Sequence, residues 1–287
     1  IISTVGGTEH VELNGHRLVM CTDGVGSKVI IADHIRRWDT VGIDCMAMNV
    51  NDALCMGARP LAFVDYLAME TTDKEKAAAI AAGLKKGADI AGIPIVGGET
   101  ATLPEIIRGF DLAGTCVAVM EHELPQNIEL GSAIIGLRSS GLHSNGYTLA
   151  RKVFTENGYN YGDVLPVEEE TIGDALLKPT CIYVREMLAL WDVIDVKAIS
   201  HITGGGLRNL KRLSSQVCFS IDEPLEPQHI FQVIQDLGNV TDQEMYQTFN
   251  MGMGLAVVID KGDIEIALDV LANNSEMDAA VVGHVTE

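Results

Sequence analysis

An acid, two glycines, a hydroxyl and a lysine fall within six residues at Asp23-Gly24-Val25-Gly26-Ser27-Lys28, directly after the apolar run Arg17 to Cys21. Glycine lets the backbone approach an anion and aim N–H groups at it, and lysine adds a point charge. Asp23 is out of place in a bare phosphate cradle, because a carboxylate repels phosphate unless a cation lies between them. Magnesium is such a cation, held by one or two carboxylates together with phosphate oxygens. The stretch therefore reads as half of a magnesium–nucleotide site. A tight surface turn with a solvated Asp and Lys is the alternative.

Three more glycine-dense stretches follow apolar runs: Gly97-Gly98-Glu99-Thr100, Ser139 to Gly146, and Thr203-Gly204-Gly205-Gly206. Neither familiar phosphate motif is present. In G-x-x-x-x-G-K-[ST] the lysine precedes the hydroxyl, whereas here Lys28 follows Ser27; G-x-G-x-x-G fails because position 29 is Val. The carboxylates Asp23, Asp44, Asp52, Asp65 and Glu99 form a second set. An unpaired buried carboxylate is costly, so acids in apolar sequence meet a metal ion or a base such as Lys28 or Arg59. His143, in Ser-Gly-Leu-His-Ser-Asn-Gly, and His201, before Thr-Gly-Gly-Gly, lie among hydrogen-bond donors. An imidazole titrates near neutrality, which suits His201 to moving a proton. With no H-E-x-x-H and no G-x-S-x-G, zinc-protease and serine-hydrolase chemistry have no local support.

The whole chain sets bounds on these readings. Its 287 residues are enough for two ordinary domains, and 47% hydrophobic with 21% charged residues is a globular composition. Forty acids against twenty bases give a formal charge of −20, which repels nucleic acid and anionic membrane. Neither is expected as a partner. Six cysteines without C-x-x-C or regular spacing imply reduced thiols and a cytoplasmic location. No apolar run reaches 18 residues, and no signal peptide is expected.

Strands and helices must position these residues. Asn14-Gly15 between Val11–Leu13 and His16–Thr22 is a hairpin signal, since it supplies both φ > 0 positions of a type I′ turn. A buried helix is expected from Thr40 to Met56, ending at Gly57, with Asp44, Asn51 and Asp52 on one face at i, i+7 and i+8. A strand follows from Leu61 to Met69. Thr72-Asp73-Lys74-Glu75 reads as a capping box for a helix ending near Gly92. Ile93 to Val96 is then a short strand delivering Gly97 to Thr100 as a loop, and Asp111 to Met120 is another strand. The polar segment Glu121 to Gly131 marks a boundary, giving domains 1–122 and 123–287. Beyond it, strand Ala133–Leu137, helix Tyr147–Glu156, helix Asp174–Trp191 broken near Pro179, and an alternation of strands and helices to Val285 complete an α/β or α+β chain with mixed sheets.

Read together, TDGVGSK, GIDCMAMNVNDALCMGARP, VDY, GGETATLP, SSGLHSNGYTLAR, PTCIYV, HITGGGLRNL and EMYQTFNMGMG resemble the phosphoribosylformylglycinamidine cyclo-ligase (AIR synthetase) family from Asp23 onward. The first and third blocks recur across a superfamily of ATP-using enzymes that includes thiamine-phosphate kinase and selenophosphate synthetase. The histidine loop, the triple-glycine loop and TFNMGMG point to the cyclo-ligase itself. In that family a glycine-rich region precedes the first strand, where this sequence has Ser3-Thr4-Val5-Gly6-Gly7; nucleotide contacts from that region are not assigned.

The resemblance implies an N-terminal α/β domain whose sheet forms a homodimer interface, and a C-terminal α/β domain. It implies conversion of formylglycinamidine ribonucleotide (FGAM) and ATP to 5-aminoimidazole ribonucleotide (AIR), ADP and phosphate, with magnesium. By motif match, Asp23, Asp52 and Glu99 are the expected magnesium ligands, with Asp44 as a supporting or alternative ligand. Asp23, Gly24, Gly26, Ser27, Lys28, Gly97, Gly98 and Thr100 are assigned to ATP and its phosphates. Asp65, His143, Ser144, Asn145, Gly146, Thr203, Gly204, Gly205 and Gly206 are assigned to the ribonucleotide or the phosphate in transfer. Lys28 and His201 are the candidate catalytic residues. A superfamily member with another acceptor, and a nucleotide-binding regulatory module without turnover, are the competing readings. Retention of Asp23, Lys28, Asp52 and Glu99 together argues against the second.

Overall fold

The computed structural model describes residues 10–165 and 169–287; the Ser3–Gly7 stretch lies outside the described residues. The expected hairpin is present. Asn14 and Gly15 take φ values of 51° and 81°, joining β1 (Val11–Leu13) to β2 (His16–Gly24). There follow α1 (Lys28–Ile35), α2 (Val41–Cys55), β3 (Ala58–Met69), α3 (Lys74–Ala91), β4 (Ile95–Thr102) and β5 (Phe110–Met120). The first sheet has the order β1-β2-β5-β3-β4, with only β3 and β4 parallel.

Three details depart from the sequence reading. Gly97 to Thr100 are not a loop but part of β4, an edge strand exposed along most of its length. Pro60 lies inside β3 rather than before it, at a register shift between Pro60 and Ala62, where a missing N–H is tolerated. The cap of α3 is Asp73, whose carboxylate accepts from Lys76 N at 3.0 Å, while the Thr72 hydroxyl meets that of Thr102. Both Thr72 and Asp73 can cap a helix; the pairing across to β4 decides between them.

The second half holds β6 (Ala133–Arg138), α4 (Tyr147–Glu156), α5 (Ile172–Leu176), α6 (Val184–Trp191), β7 (Ala198–His201), a 3₁₀ turn over Gly206–Arg212 and β8 (Cys218–Ile221). It continues with α7 (His229–Gly238), α8 (Asp242–Thr248), β9 (Met253–Ile259), α9 (Ile264–Asn274) and β10 (Ala279–Thr286). Its sheet runs β7-β9-β6-β10-β8 and every pairing is antiparallel. The segment expected as one broken helix is two short helices, α5 and α6, separated by an irregular stretch around Pro179 and Thr180. The first sheet's strands end at Met120 and the second's begin at Ala133. Helix α8, polar and short, carries too weak an apolar period to be read from sequence. Among the described residues no helix is long and apolar enough to cross a membrane.

Helix α2 organises the molecule. Residues 41–51 are buried on every side, because α2 packs on the first sheet, on α3, and on β7 and α6 of the second half. One continuous apolar core runs from Val19 and Met46 through Ile135 and Leu190 to Leu271. Asp44, Asn51 and Asp52 turn into the junction between the halves, while Asn49 turns to β2 of the first sheet.

Candidate active site

Lys28, the first residue of α1, is buried with its whole side chain. Its ammonium donates to Asp44 Oδ1 at 2.8 Å, to the His143 carbonyl at 3.1 Å and to the Lys178 carbonyl at 2.6 Å. An ammonium has three donors, and all three are taken. Asp44 Oδ1 also accepts from the backbone N–H and hydroxyl of Thr180, at 2.7 and 2.6 Å. Burial pushes the Asp44 carboxyl up and the Lys28 ammonium down, and each charge opposes the shift of the other. Lys28 thus points into the junction, and Asp44 meets Lys28 and Thr180 through Oδ1 alone, while its Oδ2 is buried with no hydrogen-bond partner among the described residues. Sequence spacing showed Asp44 on the polar face of α2 but could not show which cation it meets.

His201 ends β7 and is nearly enclosed. Its Nδ1 lies 2.9 Å from Asp52 Oδ1, and its Nε2 lies 3.4 Å from the Asn51 amide nitrogen. The amide donates, so Nε2 accepts and Nδ1 carries the proton toward Asp52. Asn51 is itself held, donating to the Cys181 carbonyl at 2.8 Å and accepting from Tyr183 N at 3.1 Å. Asn51 and Thr180 received no role from sequence. Asn51 was visible on the polar face of α2, and Thr180 only as part of the PTCIYV block, since it lies 136 residues from Asp44.

His143 takes a φ of 60° and is buried. Its Nε2 accepts from Ser140 N at 3.2 Å and Cys181 N at 3.4 Å. Burial, with His201 and Lys28 nearby, holds this imidazole well below its ordinary 6.5 and therefore neutral. The Asn250-Met251-Gly252-Met253-Gly254 block supports the same loop. Asn250 donates to the Gly141 carbonyl at 2.7 Å and accepts from the Ser139 hydroxyl at 2.9 Å. A Cβ on Gly254 would lie 1.9 Å from the Tyr183 hydroxyl and 2.5 Å from His143 Cε1, so only glycine fits.

The glycine stretches converge in part. Ser27, Ser144, Asn145 and Gly146 line one cavity of about 420 Å³, together with Lys152, Glu244 and Thr248. Gly146 caps α4 with no side-chain acceptor, leaving that helix's first N–H groups free beside the cavity, an arrangement suited to an anion. The Asn145 amide nitrogen is buried with no hydrogen-bond partner among the described residues. A Cβ on Gly204 would lie 3.3 Å from Asn145 Oδ1, so the Thr203–Gly206 turn adjoins this loop. Gly205 there has a φ of 105°.

The expected metal ligands separate. Strand register puts Asp23, Gly114, Asp65 and Gly98 in one row facing the helices, and Tyr66 and Glu99 in the next row on the opposite face. Glu99 therefore lies on the other face of the sheet from Asp23 within one chain, whereas Thr100, one residue further on, shares the face of Asp23. Asp23 Oδ1 accepts from Gly24 N, and Asn49 clasps the Asp23 backbone. Burial raises the Asp23 carboxyl, the Gly24 N–H lowers it, and Asp52 nearby raises it further. Among the described residues no three carboxylate, histidine or thiol groups gather around one point. The neighbouring pair Asp23 and Asp52 fits an ion that takes most of its oxygens from phosphate and water.

Two sheets bridged by α2, with glycine-rich turns from both halves near the junction, define an α/β protein of the AIR synthase type. Residues 8–120 match the family model for the AIR synthase related protein, N-terminal domain, and residues 129–287 that for the C-terminal domain. Over 281 residues the chain is 48% identical to phosphoribosylformylglycinamidine cyclo-ligase of Methanosarcina mazei, covering 96% of this chain and 82% of that protein. Two solved structures share the fold. Thiamine monophosphate kinase of Aquifex aeolicus has a TM-score of 0.67 at 17% identity, over 98% of this chain and 90% of its own. A hydrogenase maturation protein in complex with ATP has a TM-score of 0.67 at 19% identity, over 99% and 81%. The chain belongs to the phosphoribosylformylglycinamidine cyclo-ligase family.

Proposed function

We propose that the protein uses ATP to close FGAM into AIR, releasing ADP and phosphate. The observation that carries this reading is the 48% identity, spanning both halves, to a cyclo-ligase. The formyl amide oxygen is a poor leaving group. Transfer of the γ-phosphoryl to it makes phosphate the leaving group. The nitrogen that becomes a ring atom then attacks the formyl carbon, and the C–O bond breaks as phosphate departs. Catalysis of this kind rests on positioning two anions and offsetting their charge.

In this reading Asp23 and Asp52 hold magnesium against the ATP phosphates, whose developing charge the ion offsets. The Gly24–Ser27 turn supplies N–H groups to the nucleotide. The Ser144–Gly146 turn at the start of α4, with Thr203–Gly206 beside it, holds the ribonucleotide. His201, oriented by Asp52 and Asn51, is placed to move a proton. The active form is a homodimer in the cytoplasm. Supporting the dimer, the face of the first sheet away from α2 leaves Met20, Val64 and Tyr66 exposed at 62%, 37% and 45%, an open apolar sheet face of the kind that marks an interface. All six cysteines are free, in keeping with a reducing compartment.

Incubation of purified protein with ATP, magnesium and FGAM is expected to give AIR and ADP in equal amounts. Removal of divalent cations by chelation is expected to stop both. ADP release that is independent of FGAM, with no AIR formed, would overturn the reading.

A further inference from the structure

The Lys28 ammonium is where four separate segments meet. It leads out of the Gly24–Ser27 turn as the first residue of α1, and it binds α2 through Asp44, the histidine loop through the His143 carbonyl, and the stretch before α6 through the Lys178 carbonyl. Thr180 closes the cluster by giving Asp44 two donors. The Tyr147 hydroxyl lies between the same His143 carbonyl, at 2.9 Å, and the Leu176 carbonyl, and its ring centroid lies 5.8 Å from the ammonium. Neither charged side chain has any solvent exposure.

We propose that Asp44 and Thr180 are positioning residues for the cyclisation, acting through Lys28 to hold the nucleotide turn and the ribonucleotide loop at a fixed separation. The physical reason is the cost of slack. A buried ammonium or carboxylate that loses a hydrogen-bond partner has no water to replace it, so loss of the Thr180 donor loosens Asp44 and with it Lys28. The intact arrangement places Ser27 and Ser144–Gly146 on the same cavity. Phosphoryl transfer between ligands held by these two turns depends on their spacing, and a displacement of about 1 Å costs on the order of 100-fold in rate. Each turn keeps its own ligand-binding groups when the cluster is loosened. The chemical step should therefore suffer while the individual affinities do not.

This inference rests on the proposed reaction, so AIR formation by the wild type is established first; failure there overturns both. With turnover in hand, Thr180→Val removes the hydroxyl donor and retains the shape and the backbone N–H. It should lower kcat about tenfold with both KM values within about threefold, since an interaction felt only in the reacting geometry alters kcat alone. Thr180→Ser restores the donor and should recover kcat to within about threefold of wild type. If the valine variant does not fold, Thr180→Ala tests the same loss without the added methyl. A folded variant with wild-type kcat would overturn the positioning role. So would a rise in the KM for ATP alone, which would put this cluster on the nucleotide.

Discussion

His201 Nδ1 and Asp52 Oδ1 stand 2.9 Å apart, joining the last residue of β7 to the polar face of α2. The same carboxylate lies close enough to Asp23 to raise it. Asp52 thus has two neighbours in the proposed chemistry, the proton-moving imidazole and the metal-holding acid. Asp52→Asn keeps the shape and removes the charge. Activity is expected to fall by roughly 10–100-fold or more, the scale seen when groups supporting a metal site are disturbed. Thermal unfolding should move little, because Asp52 is partly exposed. Wild-type turnover with an unchanged magnesium titration would remove Asp52 from the site.

Association is tested on the open sheet face. Met20 pairs with Val117 across β2 and β5 on the side away from α2, and a charge there would be buried unpaired in a dimer. Wild type should scatter light as twice 30.8 kDa, and Met20→Glu should shift toward the single-chain mass. A wild-type protein that already runs as one chain at micromolar concentration would contradict the dimer.

Gly205→Ala probes the triple-glycine turn. Space exists for a methyl, with Asn209 Nδ2 at 3.5 Å as its nearest contact, but the φ of 105° penalises any side chain. Charge-assisted bonds from backbone N–H groups contribute about 1.5–3 kcal/mol each, so losing one should raise the KM for FGAM roughly 10–150-fold. The KM for ATP should stay near wild type. If ATP alone weakens, the turn belongs to the nucleotide and the division of ligands proposed above is wrong.

His143 gives the protein an acid-sensitive element. Its folded pKa is depressed by burial, first of all. Below about pH 6.5 the unfolded chain takes up a proton that the folded one refuses. The unfolded state then binds more protons, so stability is intact above that pH and is lost as the pH falls toward the depressed value, by about 1.4 kcal/mol per unit. Asn tolerates φ near 60° and does not titrate, so His143→Asn should lack this component. Denaturant titrations at pH 7 and pH 5 should show a smaller drop for the variant than for wild type. Equal drops would mean that His143 is protonated in both states.

Local chemistry alone was enough for much of this protein. Asn14-Gly15 dictates its hairpin, because few other dipeptides take two positive φ values cheaply. The apolar run from Val41 with Asp44, Asn51 and Asp52 at helical spacing determined both that α2 is buried and that its three polar residues share a face. The glycine-dense motifs were legible as motifs. Their conformation was less so: Gly97 to Thr100 became an edge strand because β3 offered parallel partners, which no local propensity can announce. The partners of the polar residues were decided only by the fold. Whether Lys28 meets a phosphate or Asp44, and whether Asp44 meets a metal or Thr180, depends on segments more than a hundred residues away in the chain. Glu99 and Asp23 look alike in sequence, yet the register across β2, β5, β3 and β4 places them on opposite faces of one sheet. A side chain's type and period follow from its own stretch of chain, whereas the charge it faces follows from how distant stretches pack.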